Sequence, residues 1–226
     1  MGLIQRLRHL IRRPVSASTV GLRRPTSARH DDTIHEDAVR ATLHENPNDA
    51  RAFAALAEIV RRHAAESASA VDPLSAEVDD DATRRAADLA VWSLAEELAG
   101  NPRAWFPLIE LARLSIVDDR EGAMRRLATA AERDPSGAAL AEGLAVLRGA
   151  DLPVEALGLG VGHWRVREHD VIVGRHLALA ALEAERPAEA RHHLDSMRLH
   201  PDHAAVEAVR AEIEPMIDGA ERRATT

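Results

Sequence analysis

From Thr33 onward, apolar residues recur every three or four positions and are cut at short intervals by proline, glycine, asparagine or aspartate. That is the signature of a run of short amphipathic helices. The pattern predicts helices at about 33–45, 49–65, 82–99, 103–116, 120–133, 137–149, 153–166, 170–185, 187–199 and 203–217. The first break is Asn46-Pro47-Asn48, and the helix after it carries Phe53, Leu56 and Val60 on one side. Pro153 and Pro187 suit a first helical turn, where the missing N–H has no intrahelical partner to lose. Asp118-Asp119, Asp151 and Asp170 are expected as N-terminal caps or first-turn acids. Such short connections make consecutive helices antiparallel neighbours.

The breaks are periodic. Pro102, Pro135, Glu168 and Pro201 lie 33 residues apart, a period that belongs to stacked helical hairpins. Nine and ten residues after three of these markers stand Leu111-Ala112, Leu144-Ala145 and Leu177-Ala178, and Leu56-Ala57 follows Pro47 in the same way. Arg210-Ala211 breaks the series. A leucine fills the seam between two helices, and the small neighbour lets the partner helix come close. The gap of 55 between Pro47 and Pro102 is one period plus 22, which an acidic insertion at 66–81, ending Asp79-Asp80-Asp81, accounts for.

This spacing resembles the tetratricopeptide repeat (TPR) superfamily over about residues 33–217. Pro47, Pro102, Pro135 and Pro201 match the proline that ends each repeat. The Leu-Ala pairs match the large and small residues of the next first helix, and Ala123, Leu127 and Ala130 match the small-large-small pattern of the second. The aromatic residue expected six positions after the proline survives as Phe53, while Gly160 and His193 stand where a large apolar residue is expected. The resemblance implies an all-α, TPR-like α-solenoid of antiparallel helix hairpins that holds a protein or peptide and is not an enzyme. It also implies a partner groove lined by first helices, which maps onto Arg51, Glu58, Arg113, Arg175, His176 and Leu179. The Lys and Asn clamp that some members use on C-terminal carboxylates is absent. The chain has no Lys, and Asn46, Asn48 and Asn101 fall in loops.

Composition narrows the interior. Hydrophobic residues make up 46%, yet there are only three Trp, two Phe and no Tyr, so the core must be Ala, Leu and Val packing between close helices. With no Cys, a disulfide framework and a thiolate site are excluded. No apolar run approaches the roughly 20 residues that span a bilayer, and Pro14-Val15-Ser16-Ala17 follows the basic start where a signal peptide would have an apolar stretch. The chain is therefore expected to be cytoplasmic.

Charge divides the chain. Residues 1–30 carry seven Arg and no acid, and the formal total is −8, so residues 31–226 hold −15. Within this basic arm Leu3, Ile4, Leu7, Leu10 and Ile11 fall in an arc of about 120° on a helical wheel. An 11-residue helix is marginal alone in water. It is expected to fold on an anionic membrane, on a partner or on the acidic body. Nucleic acid is disfavoured, because the seven Arg lack interleaved aromatics and are joined to an acidic body.

Three clusters invite chemistry. Gly158-Leu159-Gly160-Val161-Gly162 could bring backbone to a phosphate, but it follows no strand and misses the dinucleotide spacing. The favoured account puts Val154, Leu157, Val161 and Trp164 on one helix face, with the glycines admitting a close neighbour. His192, His193, His200 and His203, with Asp195 and Asp202, offer metal ligands. Adjacent histidines diverge by about 100° on a helix, so surface histidines are the preferred account. Asp79-Asp80-Asp81 lacks the alternating ligands of a Ca²⁺ loop.

The expected organisation is a basic amphipathic arm and flexible linker at 1–31, a TPR-like helical repeat domain at 32–218 and a disordered tail at 219–226. The expected function is a non-enzymatic interaction scaffold or adaptor without a cofactor. Two alternatives are a peripheral assembly factor held at the inner face of the membrane by the arm, and a metal-dependent enzyme using the C-terminal histidines.

Overall fold

The computed structural model describes residues 27–69 and 80–224. Among the described residues there are ten α-helices, one 3-10 turn and no strand: α1 (Ser27–Glu45), α2 (Ala50–Ser69), α3 (Asp80–Ala99), α4 (Phe106–Ser115), α5 (Arg120–Arg133), α6 (Ala138–Gly149), α7 (Pro153–His163), α8 (Val171–Glu183), α9 (Pro187–Ser196), the 3-10 turn (Met197–Leu199) and α10 (His203–Ala224). By contact, the described residues from 36 onward form one compact unit, and the described part of the other is the helical stretch 27–35. The apolar arm positions 3–11 lie outside the described residues.

From α2 on, each helix packs against the next. Helices two apart also meet: α4 with α6, α6 with α8, α8 with α10, and α5 with α7. The seam leucines sit in these contacts, with Leu56, Leu144 and Leu177 at 0% exposure and Leu111 at 3%. Ala57, Ala112 and Ala178 are buried beside them, and Ala145 is half-buried. Phe53 of α2 meets Phe106 of α4 edge to face at 5.5 Å between ring centres. The Arg126 guanidinium lies 5.0 Å over the Trp92 ring and ties α5 to α3.

Hydrogen bonds link the loops near the 33-residue markers to one another. Asn48 donates through Nδ2 to the Arg103 carbonyl (2.9 Å), and its Oδ1 accepts the N–H groups of Trp105 (2.7 Å) and Phe106 (3.0 Å). Those two N–H groups open α4, whose own N-cap, Trp105, offers no side-chain acceptor. Arg133 donates to the carbonyls of Ala99, Asn101 and Ala104 at 2.8–3.1 Å. The Asp170 N–H reaches the Ser136 carbonyl (3.1 Å), and His200 Nε2 reaches the His169 carbonyl (3.1 Å).

Several helix ends follow the expected chemistry. Asp49, Asp119, Asp170 and Asp202 accept N–H groups in the first turns of α2, α5, α8 and α10. Asp151 differs from its expected role as a cap. It takes φ 59° at the end of α6, and Glu185 takes φ 60° at the end of α8. In each case the next N–H closes back five residues, Leu152 on Leu147 (2.9 Å) and Arg186 on Ala181 (2.8 Å). This is a left-handed helix stop, and Pro153 or Pro187 then starts the following helix.

Four boundaries extend beyond expectation. α1 begins at Ser27, inside the expected linker, and α2 and α3 take in 66–69 and 80–81 of the expected insertion, of which 70–79 lies outside the described residues. α10 passes through Pro215 to Ala224, so 219–224 are helical, not a tail. Periodicity detects a buried face and is silent on a polar helical turn. α10 is anchored on both sides of its proline: Ile213 before it and Ile217 after it are fully buried, and Arg191 of α9 binds Asp218 (2.6 Å) and Glu221 (2.8 Å).

The α7 stripe is a correction. Its buried face is Ala156, Leu157, Leu159 and Gly160, while Val154 and Val161 are 54% and 61% exposed. Only Gly160 admits a close neighbour, since a Cβ there would stand 2.3 Å from Leu177 Cδ2; Gly158 and Gly162 face open space.

Candidate interaction surface

Arg51 and Glu58 lie exposed on α2, Glu58 within 3.5 Å of Arg61 one turn on. Arg113 is exposed on α4, 3.3 Å from Glu110 of the same helix. Both pairings are local and solvent-facing, the class that contributes about 0.3–0.5 kcal/mol and yields readily to a competing carboxylate. Two apolar side chains that the sequence did not single out share this end of α4: Leu114 is 40% exposed, and Val117, just past the helix, is 91% exposed. Their only sequence signal is an apolar residue placed after the helix should have ended.

The three α8 positions are differently placed. Arg175 is bound side-on by Glu212 of α10, at 2.8 Å through Nε and 2.5 Å through a terminal nitrogen. The same bonds raise the Arg175 pKa and hold the Glu212 carboxyl below its ordinary value. Leu179 is buried at 8% exposure. His176 is half-buried, with Nδ1 2.8 Å from a terminal nitrogen of Arg148, whose fork also clasps Glu183 at 2.8 and 2.5 Å. Burial, then the charges of Arg148 and Arg175, push the His176 pKa down to about 4. Arg175 therefore has its carboxylate supplied by the chain itself, and Leu179 is core. The carboxylates involved lie 35 and 37 residues away, beyond what a reading of local patterns can register.

The C-terminal histidines do not converge as ligands. His193 is buried at 6% exposure, edge-on to Trp164 with ring centres 6.1 Å apart, so the expectation that these histidines are exposed fails for it. His200 is engaged with the His169 carbonyl, while His192 and His203 are exposed. Among the described residues no three His, Asp or Glu side chains are grouped to hold a metal ion. A cavity of about 460 Å³ lies between α1 and α3, lined in part by Arg40, His44, Glu97 and Asn101, with Arg40 reaching to 3.7 Å from Glu97 across it. No helix among the described residues is long and apolar enough to cross a membrane.

Compared with protein-family models, curated proteins and solved structures, the chain matches none.

Proposed function

We propose that the chain is a non-enzymatic protein-interaction scaffold, a TPR-like array of helix hairpins that holds an extended or helical partner segment along its first helices. What supports an array is the 33-residue recurrence of seam leucines together with hydrogen bonds from one junction to the next. The observation that carries the binding reading is the pairing of unlike surfaces on α4: an exposed guanidinium at Arg113 beside exposed Leu114 and Val117. A partner segment carrying carboxylates and apolar anchors fits that combination, because a guanidinium fork can hold a carboxylate bidentately while aliphatic contacts bury area. The resemblance adds Arg51 and Glu58 of α2 to this surface.

The test is affinity capture with the full chain and identification of what is retained, followed by binding measurements on Arg113→Ala combined with Val117→Glu. A loss of at least tenfold in affinity, about 1.4 kcal/mol, is expected with an unchanged melting temperature. Full-strength binding by that variant moves the site off α4.

A further inference from the structure

Seven of the twelve histidines fall between His163 and His203, and three of them, His169, His176 and His193, are buried or half-buried. His176 Nδ1 sits 2.8 Å from an Arg148 nitrogen. A guanidinium can only donate, so this imidazole nitrogen must accept and stay unprotonated. His169 is 2% exposed and has Arg165 donors against both ring nitrogens, the backbone N–H at 3.4 Å from Nδ1 and Nε at 3.3 Å from Nε2. A neutral ring already has one nitrogen too many protonated for that arrangement, and the imidazolium has two. His193 is buried with its Nε2 lacking any hydrogen-bond partner among the described residues. Its Nε2 stands 3.8 Å from a Glu189 carboxylate oxygen, beyond hydrogen-bond reach for the neutral ring but within ion-pair distance of a protonated one.

These three side chains stand at the joints between hairpins. His169 packs on Gly137, which opens α6 at φ 85°, and its carbonyl receives the bond from His200 ahead of α10. His176 joins α8 to α6 through Arg148. His193 packs α9 onto the Trp164 ring that follows α7. In the N-terminal half the histidines of the compact unit, His44 and His63, are exposed.

We propose that the segment from α6 through α9 is an acid-responsive part of the fold, in which protonation of His169, His176 and His193 loosens the joints between hairpins while α2 to α5 keep their packing. The charges around His176 oppose a stable imidazolium; around His169 and His193, where acids stand among the charges, burial is the larger cause. His176 faces Arg148 from α6 and Arg175 on its own helix, and the one acid nearby, Glu183, is clasped by Arg148. His169 faces Arg165 and His163, with Glu168 beside it; Asp134 already accepts from Ser136 and the Ala139 N–H. His193 has His192 and Glu189 on its own helix. Burial lowers the pKa of all three, His176 to about 4. Because the folded values lie below the unfolded value of about 6.5, the unfolded segment binds more protons as the pH falls. Stability is full above about 6.5 and drains away toward about 4.

The test is hydrogen–deuterium exchange of the full chain at about pH 7.5 and about pH 5, corrected for the intrinsic exchange rate. Peptides spanning 138–196 are expected to lose protection by about tenfold or more, and peptides from α2 and α4 by less than about twofold. The variant His169→Gln, His176→Gln, His193→Gln, which cannot titrate, is expected to exchange alike at both values. Equal loss in both halves, no loss, or an acid response surviving in the triple variant overturns the proposal. Should that variant not fold, NMR titration of the histidine ring protons in the unaltered protein decides: all three must titrate below the ordinary histidine value of about 6.5 while the segment is packed, and ordinary titration of any of them overturns it.

Discussion

At the scale of single residues, the three glycines of α7 separate cleanly by what surrounds them. Gly160 occupies the place where Leu127 sits one period earlier, and the side chain of Leu177, fully buried, fills the space its own side chain leaves. Gly160→Ala would push a methyl against Leu177, whose neighbours leave it nowhere to go, and should cost about 1–3 kcal/mol. Gly158→Ala and Gly162→Ala meet nothing within 4 Å and should each stabilise by about 0.5–1 kcal/mol through helix propensity alone. Urea unfolding of the three variants checks the opposite signs. The sequence carried the run of glycines but not which one is used, because that depends on the rotation of α7 against Leu144 and Leu177. Val154 and Val161 misled for the same reason: they share a helix face with each other, and that face turned out to be the solvent side.

At the scale of elements, the helices were legible because their apolar faces and breaks are local properties of the chain. α5 was readable to the residue, since Asp119 caps it and no apolar residue blurs its end. Ends fixed from elsewhere were not readable. The start of α4 depends on Asn48, 57 and 58 residues away from the N–H groups it satisfies, and the last turns of α10 depend on Arg191. Asn48 lies in a loop, as expected, and from there it caps a distant helix. Asn48→Ala leaves the Trp105 and Phe106 N–H groups to water and should cost about 1–2 kcal/mol. Asn48→Asp should recover a good part of that, because the lost function is acceptance by Oδ1, while the bond to the Arg103 carbonyl stays lost. A stability loss equal in both variants would mean that the donor side of the amide is the part that matters.

At the scale of the whole molecule, the arginines divide into those that hold helices together and those left at the surface. Arg148, Arg175 and Arg191 each bridge to a carboxylate on another helix, with at least one contact of 2.8 Å or less. Among the described residues Arg113 pairs with Glu110 on its own helix, and Arg51 is exposed. The repeat resemblance places Arg113 and Arg175 as equals, but their environments make them unlike. Arg175→Ala should lower the melting temperature modestly, in keeping with about 1 kcal/mol or less for a part-exposed pair, and a cycle with Glu212→Ala should recover a positive coupling. Arg113→Ala should leave stability within about 0.5 kcal/mol. Partner affinity should move the other way, falling for Arg113→Ala and staying unchanged for Arg175→Ala at temperatures where that variant is fully folded. A captured partner that senses Arg175 and ignores Arg113 would place the site on α8 and α10, and would require the Arg175–Glu212 bond to open on binding.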